Sequence, residues 1–206
     1  MLKRNISNII LDLGGVIINL DTSLTQKAFQ NHFSSNFLAL DQKIKALNLL
    51  ENYELGLVSS PEFVSFFQQV DASISETKVK ACWNSMLLDI PNERIELIRK
   101  LSENYNVFLL SNTNEIHAQF IDEYMLQHFA IDSITSLFKK TYLSYQLKLR
   151  KPNQQIFQLI LDENSLNPSE TLFIDDTKEH IEAAKLAGIH THHLINQTLT
   201  TYFDGN

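Results

Sequence analysis

Five short, nearly continuous apolar runs are the feature that most restricts what this chain can fold into. Runs of this length, rich in β-branched and aromatic residues, are typical of parallel strands buried on both faces. Helical patterns separate the later runs, and strand–helix–strand order produces parallel crossovers. The sequence therefore predicts an α/β fold, a doubly wound parallel sheet with strands at residues 8–13, 106–110, 141–143, 171–174 and 189–195.

Helices are predicted between these strands from their apolar spacing and their end signals. Residues 92–104 show helical spacing before the second strand, Pro152 suits the first turn of a later helix, and residues 178–187 end at Gly188. The polar residues 198–206 are expected to be loosely held.

Residues 21–90 follow a different pattern, with helical spacing and no convincing strand. Helices are predicted at residues 25–33, 43–53 and 61–70. We expect a helical cap inserted after the first strand, with residues 1–20 and 91–206 forming the α/β core. The aromatic residues of this insertion are expected to pack the cap against itself, namely Phe63, Phe66, Phe67 and Trp83.

Composition excludes several classes of partner. The formal net charge of -7 argues against nucleic acid, because phosphate backbones attract basic surfaces. The single cysteine, Cys82, rules out an internal disulfide and suits a reducing compartment. Asp12 interrupts the apolar N-terminal run, and no stretch approaches the ~18 apolar residues of a membrane span. We expect a soluble cytoplasmic protein without a membrane partner, and the sequence leaves its oligomeric state open.

Polar residues end three of the predicted strands. Asp12 ends the first, Ser111 follows the second, and Asp175 and Asp176 follow the fourth. An aspartate in such a position is often only a helix cap or turn former. However, the carboxyl ends of parallel strands share one sheet edge, where ligands bind, and two adjacent carboxylates need a cation or an exposed loop. The coincidence therefore indicates a functional site.

Four motifs in chain order resemble those of the haloacid dehalogenase superfamily, whose members are mostly phosphatases that act through an aspartyl-phosphate. They are "LDLGGV", "LLSNTN", "RKP" and "LFIDDTKEHIEAA". The segments "DLGGVI", "LSNTN" and "LRKPNQQIF" are most similar to the branch that contains bacterial α-D-glucose-1-phosphate phosphatases. The resemblance implies a Rossmann-like core and a Mg²⁺-dependent phosphomonoesterase that acts on a small phosphorylated metabolite, with a sugar phosphate as the expected substrate.

The resemblance also assigns roles to individual residues. Asp12 is the expected nucleophile, which attacks phosphorus to form an acyl-phosphate. A carboxylate facing a phosphate dianion needs a neutralising cation, and Mg²⁺ prefers carboxylates, substrate phosphate and water. The expected Mg²⁺ ligands are Asp12, the carbonyl of Gly14, Asp175 and Asp176, with Asp175 bound directly or through water.

Phosphate recognition is expected from the second and third motifs. Ser111 would donate its hydroxyl to a phosphate oxygen, aided by the amide of Asn112, and Lys151 would supply a fixed positive charge. Lys148 is the nearby competitor for that role. In "YELGLVSSPEF", Tyr53 and Glu54 are candidates for contact with the substrate, and Gly56 lies in the same turn.

Gly14 departs from the usual phosphatase pattern, which has a second aspartate at this position. That aspartate protonates the leaving oxygen and then activates water, a contribution of about 10²–10⁴-fold. Glycine cannot transfer a proton. Either turnover is slow or limited to good leaving groups, or another residue supplies the proton (Glu54, His32 and His117 are candidates), or the protein binds phosphorylated metabolites without turnover.

A metal-independent 2-haloacid dehalogenase is the alternative reaction class. It would reuse Asp12 as a nucleophile on carbon, but the pair Asp175 and Asp176 favours Mg²⁺, and the residue after Leu13 is not the tyrosine common in that branch. The alternating His190 and His192 suggest a polar face on an edge strand more than a zinc site. His180 is expected at most to orient the paired carboxylates.

Overall fold

A single parallel sheet organises the chain. The computed structural model describes residues 5–205, so residues 1–4 and Asn206, which the predicted core includes, lie outside the described part. The strand order is β3-β2-β1-β4-β5. In-register pairing of β1 with both neighbours places the carboxyl ends of the three central strands side by side. The predicted α/β class is confirmed, with strands β1 (Asn8–Leu11), β2 (Asn106–Ser111), β3 (Lys140–Leu143), β4 (Thr171–Asp175) and β5 (His190–His193).

Eleven α-helices occur in residues 5–205. Five follow β1: α1 (Thr22–Phe33), α2 (Phe37–Ala46), α3 (Leu49–Glu54), α4 (Ser60–Val70) and α5 (Glu76–Asn84). The others are α6 (Asn92–Ser102), α7 (Glu115–Phe129), α8 (Ser144–Leu147), α9 (Gln154–Glu163), α10 (Lys178–Leu186) and α11 (Leu199–Asp204). No helix in the described chain has the length and apolar character that crossing a membrane requires.

Helices cover both faces of the sheet, because the strand side chains alternate between two buried clusters. Ile9 and Leu109 point toward one face, where they pack with residues of α6, α7 and α11. Ile10 and Phe108 point toward the other, where they pack with α9 and α10. Since both faces are buried there, the central strands β1, β2 and β4 are mainly apolar, whereas the edge strand β5 reads His-Thr-His-His and is only partly buried.

Helices α1–α5 have an aromatic cluster of their own. Phe29 stacks on Phe67 with ring centroids 4.5 Å apart, and Phe63 lies 5.0 Å from Trp83. Ile116 of α7 joins this cluster and ties it to the core. The expected packing of the aromatic residues of the insertion is confirmed.

The structure corrects three local predictions. Residues 43–53 form parts of two helices, because Asn48 adopts a left-handed conformation (φ 47°) between α2 and α3. Pro152 does not open a helix: it follows a cis peptide bond, and Asn153 caps α9 by accepting from the amide of Gln155. The described part of the C-terminal segment is ordered as α11, whose Leu199 is fully buried.

Candidate active site

Lys151 joins two carboxylates at the carboxyl edge of the sheet. Asp12 follows β1 and Asp175 ends β4, and Lys151 Nζ lies 2.7 Å from Asp12 Oδ1 and 2.7 Å from Asp175 Oδ2. The ammonium also donates to the carbonyl of Leu110 at 3.1 Å. Lys151 and Asp175 are fully buried, and Asp12 is 7% exposed. A buried lysine with two carboxylate partners is a costly arrangement that points to function.

The charges of this cluster shift one another's protonation. Burial raises the pKa of Asp12 to about 7, opposed by the positive charge of Lys151. Burial also acts to raise the pKa of Asp175, but Lys151 and His180 outweigh it and hold that pKa below its usual range. Burial works against the charge on Lys151, yet the two carboxylates raise its pKa above the usual value. One lysine cannot neutralise both carboxylates, so the cluster attracts a further cation.

Asp175 is held by two groups besides Lys151. The amide of Thr177 donates to Asp175 Oδ1 at 2.7 Å, and His180 Nδ1 lies 3.0 Å from Oδ2. His180 therefore orients the carboxylate of Asp175, one of the two that it was expected to orient. Ligand atoms of Asp12, Asp175 and His180 all lie within 4.8 Å of one another, and this is the only such cluster among residues 5–205.

The structure separates Asp176 from that cluster. Its carboxylate lies against Gly15 so closely that a Cβ there would collide with Oδ2, and Gly15 has a positive φ of 70°. Asp176 Oδ1 accepts from the hydroxyl of Thr177 at 3.1 Å, and the Asp176 carbonyl accepts from His193 Nε2 at 2.9 Å. The Asp176 carboxylate therefore lies beside the Gly-Gly turn. The expected role of Asp176 as a direct Mg²⁺ ligand stays a prediction.

Asn112 supports Lys151 through the backbone. Its Nδ2 donates to the Lys151 carbonyl at 2.9 Å, and its Oδ1 accepts from the Lys151 amide at 2.9 Å. Its side chain is therefore a positioning group, a role that the sequence did not reveal. Ser111 is 3% exposed and makes a long, 3.5 Å contact with the Asn112 carbonyl, which leaves its hydroxyl able to turn toward a ligand. The competitor Lys148 is exposed.

A cavity of about 400 Å³ lies between this sheet edge and the helical insertion. Gly14, Ser111 and Asn112 line its core side, and Glu54 lines it from α3. Tyr53 is not brought to the cavity. Its ring is 2% exposed and stacks on Phe63, and its hydroxyl lies 2.8 Å from Ser60 Oγ and accepts from the Ile116 amide.

Two of the three candidate proton donors are unsuitable. His117 Nε2 donates to the Trp83 carbonyl at 3.2 Å and Nδ1 accepts from Asn114, while burial lowers the pKa of His117 to about 4. The imidazole is therefore neutral with both nitrogens engaged. His32 pairs with Asp71 at 3.1 Å and does not line the cavity.

Leu20 fills the space beside Gly14. A Cβ at Gly14 would lie 2.5 Å from Leu20 Cδ1, so the apolar side chain stands where a residue-14 side chain would begin.

Sequence reasoning missed Arg150 and Asn114. Arg150 Nη2 lies 2.8 Å from Glu54 Oε2, and Asn114 caps α7 while accepting from the Trp83 indole at 3.2 Å. Both residues lie inside the quoted motifs, but no local pattern identified their partners, which come from the helical insertion.

A doubly wound α/β enzyme is the class that this fold and buried carboxylate–lysine cluster define. Residues 6–188 match the haloacid dehalogenase-like hydrolase family, so the chain belongs to that family and is a hydrolase.

Solved and characterised relatives extend the match over nearly the whole chain. A D-ribitol-5-phosphate phosphatase of Bacteroides thetaiotaomicron is 28% identical over 190 residues, 90% of each chain. A haloacid dehalogenase family enzyme of the same organism has a TM-score of 0.89 and 32% identity, covering 97% of this chain and 99% of its own. A wild-type complex of that enzyme with magnesium and inorganic phosphate has a TM-score of 0.85 and 34% identity, covering 96% and 99%.

Proposed function

We propose that this protein is a Mg²⁺-dependent phosphomonoesterase that acts on a small sugar phosphate, with D-ribitol 5-phosphate as the first substrate to test. The observation that carries the proposal is the position of Lys151 between Asp12 and Asp175 at the carboxyl edge of the sheet. The D-ribitol-5-phosphate phosphatase and the complex with magnesium and phosphate support the same reaction. The relatives reported above give no support to the α-D-glucose-1-phosphate branch. In this proposal residues 21–90 act as the cap.

Asp12 is the nucleophile of the proposed reaction. Its carboxylate attacks phosphorus in line with the leaving oxygen and forms an aspartyl-phosphate, which water then hydrolyses. Lys151 offsets the negative charge of both carboxylate and phosphoryl group, and Asn112 holds its backbone in place. Ser111, at the end of β2, donates its hydroxyl to a phosphate oxygen. Preorganised charges of this kind are the main source of catalysis in phosphoryl transfer.

The donor set fits Mg²⁺. Buried and partly exposed carboxylate oxygens at one sheet edge, with more negative charge than Lys151 neutralises, suit a hard divalent cation. Asp12, Asp175, Asp176 and the carbonyl of Gly14 would hold it, and when bound it would shield the phosphate charge from the nucleophile. The same excess of carboxylate favours the phosphatase over the metal-independent dehalogenase.

Phosphate release from a panel of sugar phosphates and 4-nitrophenyl phosphate, with Mg²⁺ or with EDTA, tests the proposal. Asp12→Asn is the matched control, since it keeps the side-chain size but removes the nucleophile. Mg²⁺-dependent release that disappears in the variant is the expected result. Tight ligand binding without release by the wild type would contradict the proposal and favour the binding protein instead.

A further inference from the structure

The proposed reaction requires a proton donor that Gly14 cannot supply. When Asp12 attacks phosphorus, the bond to the leaving oxygen breaks, and an alkoxide from a sugar phosphate is a poor leaving group unless it is protonated. Leu20 occupies the space next to Gly14, so the apolar wall offers no proton either. If the protein has the proposed function, the donor must come from elsewhere around the cavity.

Three titratable side chains line the cavity among the described residues: Asp41, Glu54 and His117. His117 is neutral and has both nitrogens in hydrogen bonds. Asp41 belongs to α2 and forms a 2.6 Å ion pair with Lys45 one turn along the same helix. Glu54 ends α3, and its carboxylate is anchored to the core. It is the candidate that the core itself positions.

Arg150 connects Glu54 to the phosphate site. Arg150 Nη2 lies 2.8 Å from Glu54 Oε2, and Arg150 directly precedes Lys151, whose ammonium contacts Asp12. Glu51 shares the same guanidinium at 3.4 Å but is exposed and does not line the cavity. Arg150 thus holds one carboxylate at the cavity wall and a second one outside it.

Gly56 fixes the turn that follows Glu54. It has a φ of 64°, and a Cβ there would collide with the Tyr145 carbonyl. Such close approach means that the turn rests directly on the backbone of α8, in the core. Glu54 is therefore held at the cavity wall from both sides, by the ion pair and by backbone packing.

We propose that Glu54 is the acid–base residue of this enzyme. As an acid it gives its proton to the leaving oxygen while the phosphorus–oxygen bond breaks and Asp12 bonds to phosphorus. As a carboxylate it then takes a proton from the water that attacks the aspartyl-phosphate, which releases inorganic phosphate and restores Asp12. Each turnover returns the proton, so no other reactant is needed.

The surroundings of Glu54 suit both steps. Burial raises the pKa of Glu54, and the negative charge of Glu51 raises it further. The positive charge of Arg150 and the nearby His180 lower it, but the net shift is upward. The net rise makes the protonated form more accessible near neutral pH, while Arg150 stabilises the carboxylate that forms after proton transfer.

The test compares Glu54→Gln with Glu51→Gln in the full-length enzyme with Mg²⁺. Glu51→Gln is matched, because it removes a carboxylate from the same arginine outside the cavity. Glu54→Gln should lower kcat/KM for D-ribitol 5-phosphate by about 10²–10⁴-fold. For 4-nitrophenyl phosphate, whose leaving group needs no proton, kcat/KM should change little. A burst of one nitrophenolate per active site should precede slow turnover, because dephosphorylation has lost its base.

Several outcomes would overturn the assignment. An equal loss of kcat/KM for both substrates, without a burst, would make Glu54 a positioning residue. An equal effect of Glu51→Gln would assign the loss to Arg150. Urea unfolding of both variants shows whether a loss of activity comes from misfolding. If Glu54→Gln is unstable, Glu54→Asp replaces it, and this variant should keep part of the activity because it keeps a carboxyl group. A wild type that releases no phosphate from any substrate refutes the proposed function itself, and this assignment with it.

Discussion

Removing Lys151 tests whether the buried cluster has the charges that its geometry implies. Lys151→Met keeps most of the side-chain volume but removes the ammonium that contacts Asp12, Asp175 and the Leu110 carbonyl. Two buried carboxylates then face each other without their cation. Breaking a buried ion pair by removing one partner costs about 3–5 kcal/mol. We expect a loss of this size in the free energy of unfolding at pH 7 in EDTA.

The loss should depend on pH in a defined direction. Without Lys151, burial and mutual repulsion raise the pKa of Asp175 above its unfolded value, so the folded variant binds about one more proton than the folded wild type. A group whose pKa is raised in the folded state adds to the free energy of unfolding at low pH, and this contribution is lost as the pH rises through that pKa. One proton changes stability by about 1.4 kcal/mol per pH unit, so the variant should recover up to about 2.7 kcal/mol between pH 7 and pH 5.

Urea unfolding at pH 5 and pH 7 measures both effects. Lys148→Met is the matched control, because Lys148 is an exposed lysine three residues away, and its substitution should change stability by less than about 0.5 kcal/mol. A Lys151→Met loss below about 1 kcal/mol at pH 7, or one that grows toward pH 5, would refute the reasoning.

Three further substitutions test individual contacts. Gly15→Ala should displace the carboxylate of Asp176 and raise the Mg²⁺ concentration needed for half-maximal phosphate release by about 10–100-fold, as measured by titration. Gly56→Ala, at a positive φ against the Tyr145 carbonyl, should lower the free energy of unfolding by about 1–3 kcal/mol in urea. Asn112→Ala removes two hydrogen bonds to the lysine backbone and should cost about 1–3 kcal/mol, whereas an unchanged urea midpoint would contradict that support role.

Local patterns succeeded where burial is uniform. The central strands β1, β2 and β4 were recognisable because both faces of the sheet are covered there, so each of them is a short, mainly apolar run. Sequence patterns gave wrong element boundaries where one residue's backbone conformation or burial decides the local structure. The left-handed Asn48 divides one helical pattern into α2 and α3, and the burial of Leu199 orders a polar C-terminal segment. Neither residue carries a distinctive local signal.

The candidate site was partly visible for the same reason. Asp12, Ser111 and Asp175 follow apolar runs, and the parallel order of the strands brings the ends of those runs together. Tyr53 is turned away from the cavity, whereas its neighbour Glu54 lines it. Which of two neighbours faces the cavity depends on helix rotation and turn geometry, and those follow from packing against distant residues.

The sequence by itself determined the sheet, the inserted helices and the strand ends at which polar residues collect, because apolar periodicity and strand order act locally. Only the tertiary structure decided that Lys151 bridges Asp12 and Asp175 and that Arg150 ties Glu54 to the core. These contacts join residues far apart in the chain. The Lys151 contacts depend on how the loop before α9 packs against the strand ends, and the Arg150 contact depends on how the helical insertion packs against the core. No short segment encodes either arrangement.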